Sequence, residues 1–256
     1  MTFNRPTLAM LGIIAVLGAA TLGLPQGAPA APKSKTPDIA ASGEPVLLEL
    51  FTSQGCSSCP PADKLAETLV RQPGLVVIAR PVTYWDRLGW KDTLARESNT
   101  ELQRDYARRG LEGRNGVYTP QLVIDGTFGA VGSRGEDVAA GVKRFGGKGG
   151  AAIAVTGGAA KGYTARIDGT VKGAAELVLV AVTRKVEVGI GSGENGGRKV
   201  SYTNVLRAET RLAGWQGGKA SIAISPSQLK VQGADRYALV LRQPDGGKVL
   251  AARWLA

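Results

Sequence analysis

The chain has 256 residues, enough for one large domain or two ordinary ones, and its 43% hydrophobic content is that of a globular protein. Thirty-six glycines against 5% aromatics fit β-structure better than a helical bundle. The net charge of +11 is scattered and not interleaved with aromatics, which argues against a nucleic-acid face, and the absence of histidine beside only two cysteines leaves no soft four-ligand zinc site.

Residues 1–30 read as an export signal peptide: Arg5 in a short leading segment, an apolar stretch over 8–24 interrupted by glycines, then Ala28-Pro29-Ala30 as a small-x-small cleavage site. The mature protein is therefore expected to be periplasmic or secreted, with no stable membrane insertion after cleavage; a single membrane anchor is the alternative. Residues 31–43, rich in Ala, Pro, Ser and Lys, read as a linker.

Residues 45–51 (PVLLELF) are a nearly continuous apolar run, as in a strand buried on both faces. A turn over 52–55 leads to Cys56-Ser57-Ser58-Cys59, and Pro60-Pro61 suits a first helical turn, where backbone N–H groups lack partners. The helix continues with Ala62, Leu65, Ala66, Leu69 and Val70 at 3–4 spacing. A second strand covers 75–82 and a polar helix 93–109, stopped by Gly110. Tyr118-Thr119-Pro120 precedes a strand over 121–124, Asp125-Gly126 signals a hairpin, and 127–131 returns. Ser133 and Glu136 form a capping-box pattern opening a helix to Phe145.

After the glycine break at 146–150 the pattern shifts to period 2, with strands predicted over 151–156, 163–167, 176–188, 200–211, 219–224, 237–243 and 249–255. The expected architecture is an α/β domain at 44–146, able to fold alone, followed by an all-β sandwich-like domain at 151–256.

The Cys-x-x-Cys pair at a helix start is the chemical centre. Free N–H groups and the helix dipole would stabilise a Cys56 thiolate, and Cys59 would resolve a mixed disulfide. Two alternatives remain: a local structural disulfide, whose small loop constrains the unfolded chain little, and copper(I) held by two thiolates. No cofactor is expected; the glycine loop 193–197 lacks the strand-to-helix context and the Lys-Ser/Thr of a phosphate loop and reads as a hairpin turn.

The order strand, Cys-x-x-Cys, helix, strand, helix, Thr-Pro, hairpin, helix resembles thioredoxin, so the resemblance implies an α/β thioredoxin-like first domain. More closely, ELFTSQGCSSCPPAD, YWDRLGWKD, YTPQLVIDG and GENGGRKVSYTNVLR resemble the secreted family catalogued as domain of unknown function 1223, over about residues 45–256. The family pattern expected before Tyr84-Trp85-Asp86 is His-Val-Asp; here Pro81-Val82-Thr83 stands there. The resemblance implies a cis peptide before Pro120, against the cysteine pair, where the missing N–H leaves an edge open to substrate. It also implies a buried acid that relays protons to Cys59, a role that falls to Glu49, seven residues before Cys56; the alternative is a carboxylate paired with a surface cation. Tyr84, Trp85, Asp86 and Trp90 read as an aromatic wall beside the cysteines or as core. The expected function is thiol–disulfide exchange on envelope protein thiols and disulfides, with a redox partner protein. The alternative is a non-catalytic envelope binding protein with a structural disulfide.

Overall fold

The structure, a computed structural model, describes residues 43–256, all within one compact unit, Thr36–Ala256. The signal peptide expected at 1–30 and nearly all of the linker expected at 31–43 lie outside the described residues.

The first half follows the element order read from the sequence: β1 (Val46–Thr52), α1 (Pro60–Leu69), β2 (Leu75–Pro81), α2 (Glu97–Arg109), β4 (Gln121–Ile124), β5 (Phe128–Val131) and α3 (Gly135–Phe145), with a two-residue β3 (Glu112–Gly113) added. β1 and β2 are buried at every position, as continuous apolar runs require. Asp125 and Gly126 both have positive φ, 45° and 60°, as a tight hairpin turn with both central residues left-handed demands. Two local readings are corrected. Arg134, not Ser133, caps α3, and no side chain caps it. α2 begins at Glu97 instead of residue 93, because Asp92 and Thr93 are bound elsewhere, to Gln54.

The second half adds β6 (Ala151–Gly158), β7 (Gly162–Gly169), β8 (Ala175–Gly189), β9 (Lys199–Trp215), β10 (Ala220–Ile224), β11 (Arg236–Arg242) and β12 (Val249–Trp254). The expected fold class, an α/β thioredoxin-like domain followed by a separate sandwich, is overturned by the sheet topology. The protein is mostly β. One nine-stranded mixed sheet runs β12-β11-β8-β9-β2-β1-β4-β5-β3 and takes strands from both halves; β10-β7-β6 form a second sheet. β2 lies parallel to both β1 and β9.

The junction is made by a short pairing and by packing. β2 and β9 pair at Ala79 and Val205, and beside that pair Asn204, with φ 48°, donates its side-chain N–H to the Val77 carbonyl at 2.9 Å. The amide stands in for a ladder bond that the strand geometry cannot supply. Leu47, Val76 and Ile78 from β1 and β2 share a core with Val178, Val180, Val182, Leu206 and Val240. Each such side chain contributes roughly 1.5–3 kcal/mol on burial. Asp125 adds a polar tie: its Oδ1 accepts the Leu47 N–H at 2.7 Å, its Oδ2 the Gly147 N–H at 2.8 Å, and its carbonyl the Val249 N–H at 2.9 Å. Sheet and core thus continue across the glycine break.

Candidate functional site

The cysteine loop is built from the end of β1. Ser53 turns the chain: its Oγ accepts the Gly55 N–H at 3.1 Å and its carbonyl the Cys56 N–H at 3.2 Å. Cys56 and Cys59 form a disulfide with Cα atoms 5.4 Å apart. Cys59 is the N-cap residue of α1, Pro60 and Pro61 fill the first turn, and the Cys59 carbonyl accepts the N–H groups of Ala62 (2.8 Å) and Asp63 (3.1 Å). The Ser58 hydroxyl donates to Cys56 Sγ at 3.3 Å. Both cysteines are fully buried, while Ser57 and Ser58 are exposed.

Four segments converge on this loop. From the loop after β2, Asp92 Oδ2 accepts the Gln54 N–H at 2.8 Å, and Trp90 Nε1 donates to Gln54 Oε1 at 2.8 Å. Trp85 donates to Thr119 Oγ1 at 2.8 Å and packs on the cluster of Phe51, Val82 and Tyr106, so it serves as both wall and core. The Thr119–Pro120 peptide is cis, and a side chain at Gly132 would meet both Pro120 and Ala62, so Pro120 and the first turn of α1 flank the same glycine. Gln103 of α2 steadies this stretch by donating to the Tyr118 carbonyl at 2.7 Å.

The fourth segment comes from the second half. The β8–β9 loop does connect two antiparallel strands, as the glycine-rich sequence suggested, but it docks on the cysteines. Asn195, buried, donates to the carbonyls of Gln54 and Cys56, each at 2.9 Å. Glu194 Oε2 accepts the Ser57 N–H at 3.0 Å. Side chains at Gly191 or Gly193 would strike Trp90, so these glycines allow the loop to lie flat on it. Sequence reasoning missed Glu194 and Asn195 because no local pattern tells a free turn from a docked one.

The buried acids divide. Glu49, the residue expected to relay protons, is held by Arg80 Nε at 2.6 Å and by the Tyr106 hydroxyl. Arg80 in turn binds Glu209 at 2.6 Å and Asn99 at 3.2 Å, and Arg242 binds Glu209 at 3.3 Å. Burial alone would push Glu209 up; Arg80 and Arg242 outweigh it and hold the carboxyl at about 2. Asp63 is different. It sits four residues past Cys59 on the buried side of α1; Oδ1 accepts the Thr52 hydroxyl at 2.9 Å, and Oδ2 is buried without a partner. Burial raises its pKa to about 8, against the Thr52 hydrogen bond and with a contribution from Asp92. Asp92 itself is raised, by burial first. Burial, Asp63 and Asp92 together push the nearby Tyr202 hydroxyl up. One signal could have found Asp63: it occupies the buried stripe of α1 among Ala62, Ala66 and Leu69, where a carboxylate is out of place.

Among the described residues no cluster of three or more His, Cys, Asp and Glu is arranged to hold a metal ion.

No curated protein matches the chain. Among solved structures, protein AGR_C_4864 from Agrobacterium tumefaciens is 29% identical with a TM-score of 0.69, over 84% of this chain and 96% of that one. HBP35 of Porphyromonas gingivalis is 11% identical with a TM-score of 0.47, over 84% of this chain and 76% of that one. The family described as "Protein of unknown function (DUF1223)" matches residues 47–242, and the chain belongs to that family.

Proposed function

We propose that this protein is a thiol–disulfide exchange protein that works through Cys56 and Cys59 on protein thiols and disulfides of the cell envelope, with a redox partner protein to restore it. The observation that carries the reading is the buried carboxyl of Asp63, with no cation on it and one oxygen without a partner, one turn past a disulfide that caps α1. A structural disulfide has no need of a proton donor beneath it, whereas exchange does.

In the oxidising direction a substrate thiolate attacks Cys56 Sγ. The disulfide breaks, Cys59 leaves as a thiolate, and protonated Asp63 supplies its proton. A second substrate thiolate then attacks the substrate sulfur of the mixed disulfide and expels Cys56. The substrate gains a disulfide and the protein becomes a dithiol. In the reducing direction the Asp63 carboxylate takes the proton from Cys59 as it resolves the mixed disulfide. An acid with a pKa of about 8 can serve both steps near neutral pH. Pro120, flanking Gly132 together with the first turn of α1, offers an edge without an N–H where a substrate chain can pass. Glu49 is assigned to the ion-pair cluster that braces β1. The export signal read at 1–30 supports a periplasmic or secreted setting, where such exchange operates.

One observation favours the second reading, a non-catalytic binding protein with a structural disulfide: both cysteines are fully buried. Glutathione disulfide and a peptide disulfide offered to reduced Cys59→Ser protein separate the two. Exchange predicts a stable mixed disulfide at Cys56. A native disulfide that dithiothreitol reduces only after unfolding selects the binding protein.

A further inference from the structure

Backbone N–H donors are what normally steady a thiolate at a helix start. Here they are almost all committed. The Cys59 N–H goes to the Cys56 carbonyl, those of Ala62 and Asp63 go to the Cys59 carbonyl, and Pro60 and Pro61 have none. The Ser57 N–H, next to Cys56, goes to the Glu194 carboxylate at 3.0 Å. Only the Ser58 N–H of this stretch is left.

The charges around the loop act in the same sense. Glu194 comes from the β8–β9 loop, and Asp92 binds Gln54 from the loop after β2, with Asp86 behind it on the Asp92 N–H at 3.1 Å; Asp63 on α1, pushed up to about 8, adds its charge only at higher pH. Among the described residues, Arg198 joins this group through the Asn195 side-chain oxygen, to which it donates at 3.0 Å. A chain of net charge +11 therefore surrounds its cysteine pair with acids.

We propose that Glu194 is a positioning residue for exchange at Cys56: by taking the Ser57 N–H and fixing a carboxylate on the Cys56–Ser57 peptide, it disfavours the Cys56 thiolate and holds the pair toward the disulfide. Asn195 anchors it, so the second half of the chain sets the redox poise of a site built in the first. This inference rests on the exchange reading above. The hydrogen bonds from Ser57 also lower the pKa of Glu194, so the carboxylate is charged wherever thiol chemistry runs.

The test uses the full mature chain with Glu194→Gln, which keeps an acceptor oxygen for Ser57 and removes the charge. Glu187→Gln, a surface carboxylate bound by Lys185 and Lys199, controls for net charge. The readouts are the pH profile of iodoacetamide alkylation at Cys56, the equilibrium with a glutathione redox buffer, and the thermal midpoint. Glu194→Gln should lower the Cys56 thiol pKa by about half a unit or more. It should also move the exchange equilibrium about threefold toward the dithiol, about 14 mV at 29.6 mV per tenfold. Glu187→Gln should do neither. An exchange-active wild type with an unchanged pKa and equilibrium in Glu194→Gln overturns the role of Glu194 alone. A wild-type disulfide that does not equilibrate with glutathione overturns this inference and the exchange reading together.

Discussion

Two groups of buried carboxyls lie within a short stretch of one another, and they are opposites. In the Glu49 group every charge has a partner: Arg80 joins Glu49 to Glu209, Tyr106 caps Glu49, and Arg242 closes the far side. In the Asp63 group the carboxyl makes no ion pair among the described residues; it has one hydroxyl partner, a bare oxygen, and Asp92 for a neighbour. The difference separates architecture from chemistry. Paired charges fix strands in place, and Glu209 among them is held at about 2, while burial without a cation pushes Asp63 up to about 8.

The comparison breaks most visibly if Arg80 is removed. Arg80→Met strands Glu49 and Glu209 in the sheet and should cost about 3–5 kcal/mol, read as a lowered urea midpoint at pH 7. A loss under 1 kcal/mol would mean the cluster is not what joins β2 to β9. Cutting the chain within the cluster is the coarser version. The fragment 44–146 loses Glu209, Arg242 and the shared core around Leu47, Val76 and Ile78, so it should show no cooperative unfolding by circular dichroism.

Asp63→Asn acts in the reverse sense. The folded-state pKa of Asp63, about 8, lies above the ordinary value of 3.8, so its contribution to stability is present below about pH 4 and lost as pH rises toward 8. Removing the charge should stabilise the protein at pH 8 by about 2 kcal/mol, the unpaired amide N–H groups offsetting part of the gain. Exchange should slow at the same time. Stability without that loss of rate would remove Asp63 from the mechanism.

A pH series sharpens the contrast without mutation. The Glu209 carboxyl is held at about 2, below the ordinary 4.5, so its stabilisation is full above about pH 4.5 and is lost as pH falls from there through about 2. Asp63, and Asp125 raised to about 7 by burial, favour the folded state increasingly from pH 8 to pH 5. The wild type should therefore be more stable at pH 5 than at pH 8 by about 1–3 kcal/mol in denaturant titrations. Asp63→Asn should shrink that difference. The smallest effect belongs to the surface: Arg104→Ala, breaking the exposed pair with Glu97, should change stability by at most about 0.5 kcal/mol.

The sequence was most legible where one residue type has one use. The helix start after the cysteine pair and the Asp125-Gly126 turn were legible because proline and glycine limit the backbone, and the cis bond before Pro120 is as the resemblance implied. It was least legible where the answer lies between distant segments. Period-2 strands announce themselves but not their neighbours, and β2 meets β9 through one ladder pair, the Asn204 side chain and the Arg80–Glu209 ion pair. Glu49 illustrates the same limit: its burial was readable, but Arg80 reads as an ordinary basic residue in an apolar strand until Glu209 and Arg242 arrive from strands far along the chain.

The central claim, that Cys56 and Cys59 exchange with other thiols instead of merely stapling a turn, is tested most directly by the reduction potential of the native protein in glutathione buffers at pH 7. Exchange at a donor-poor, acid-lined site predicts reversible equilibration with a potential between about −200 and −290 mV. A disulfide that stays oxidised at all glutathione ratios, with a potential well below about −300 mV, would contradict the account and mark the pair as structural.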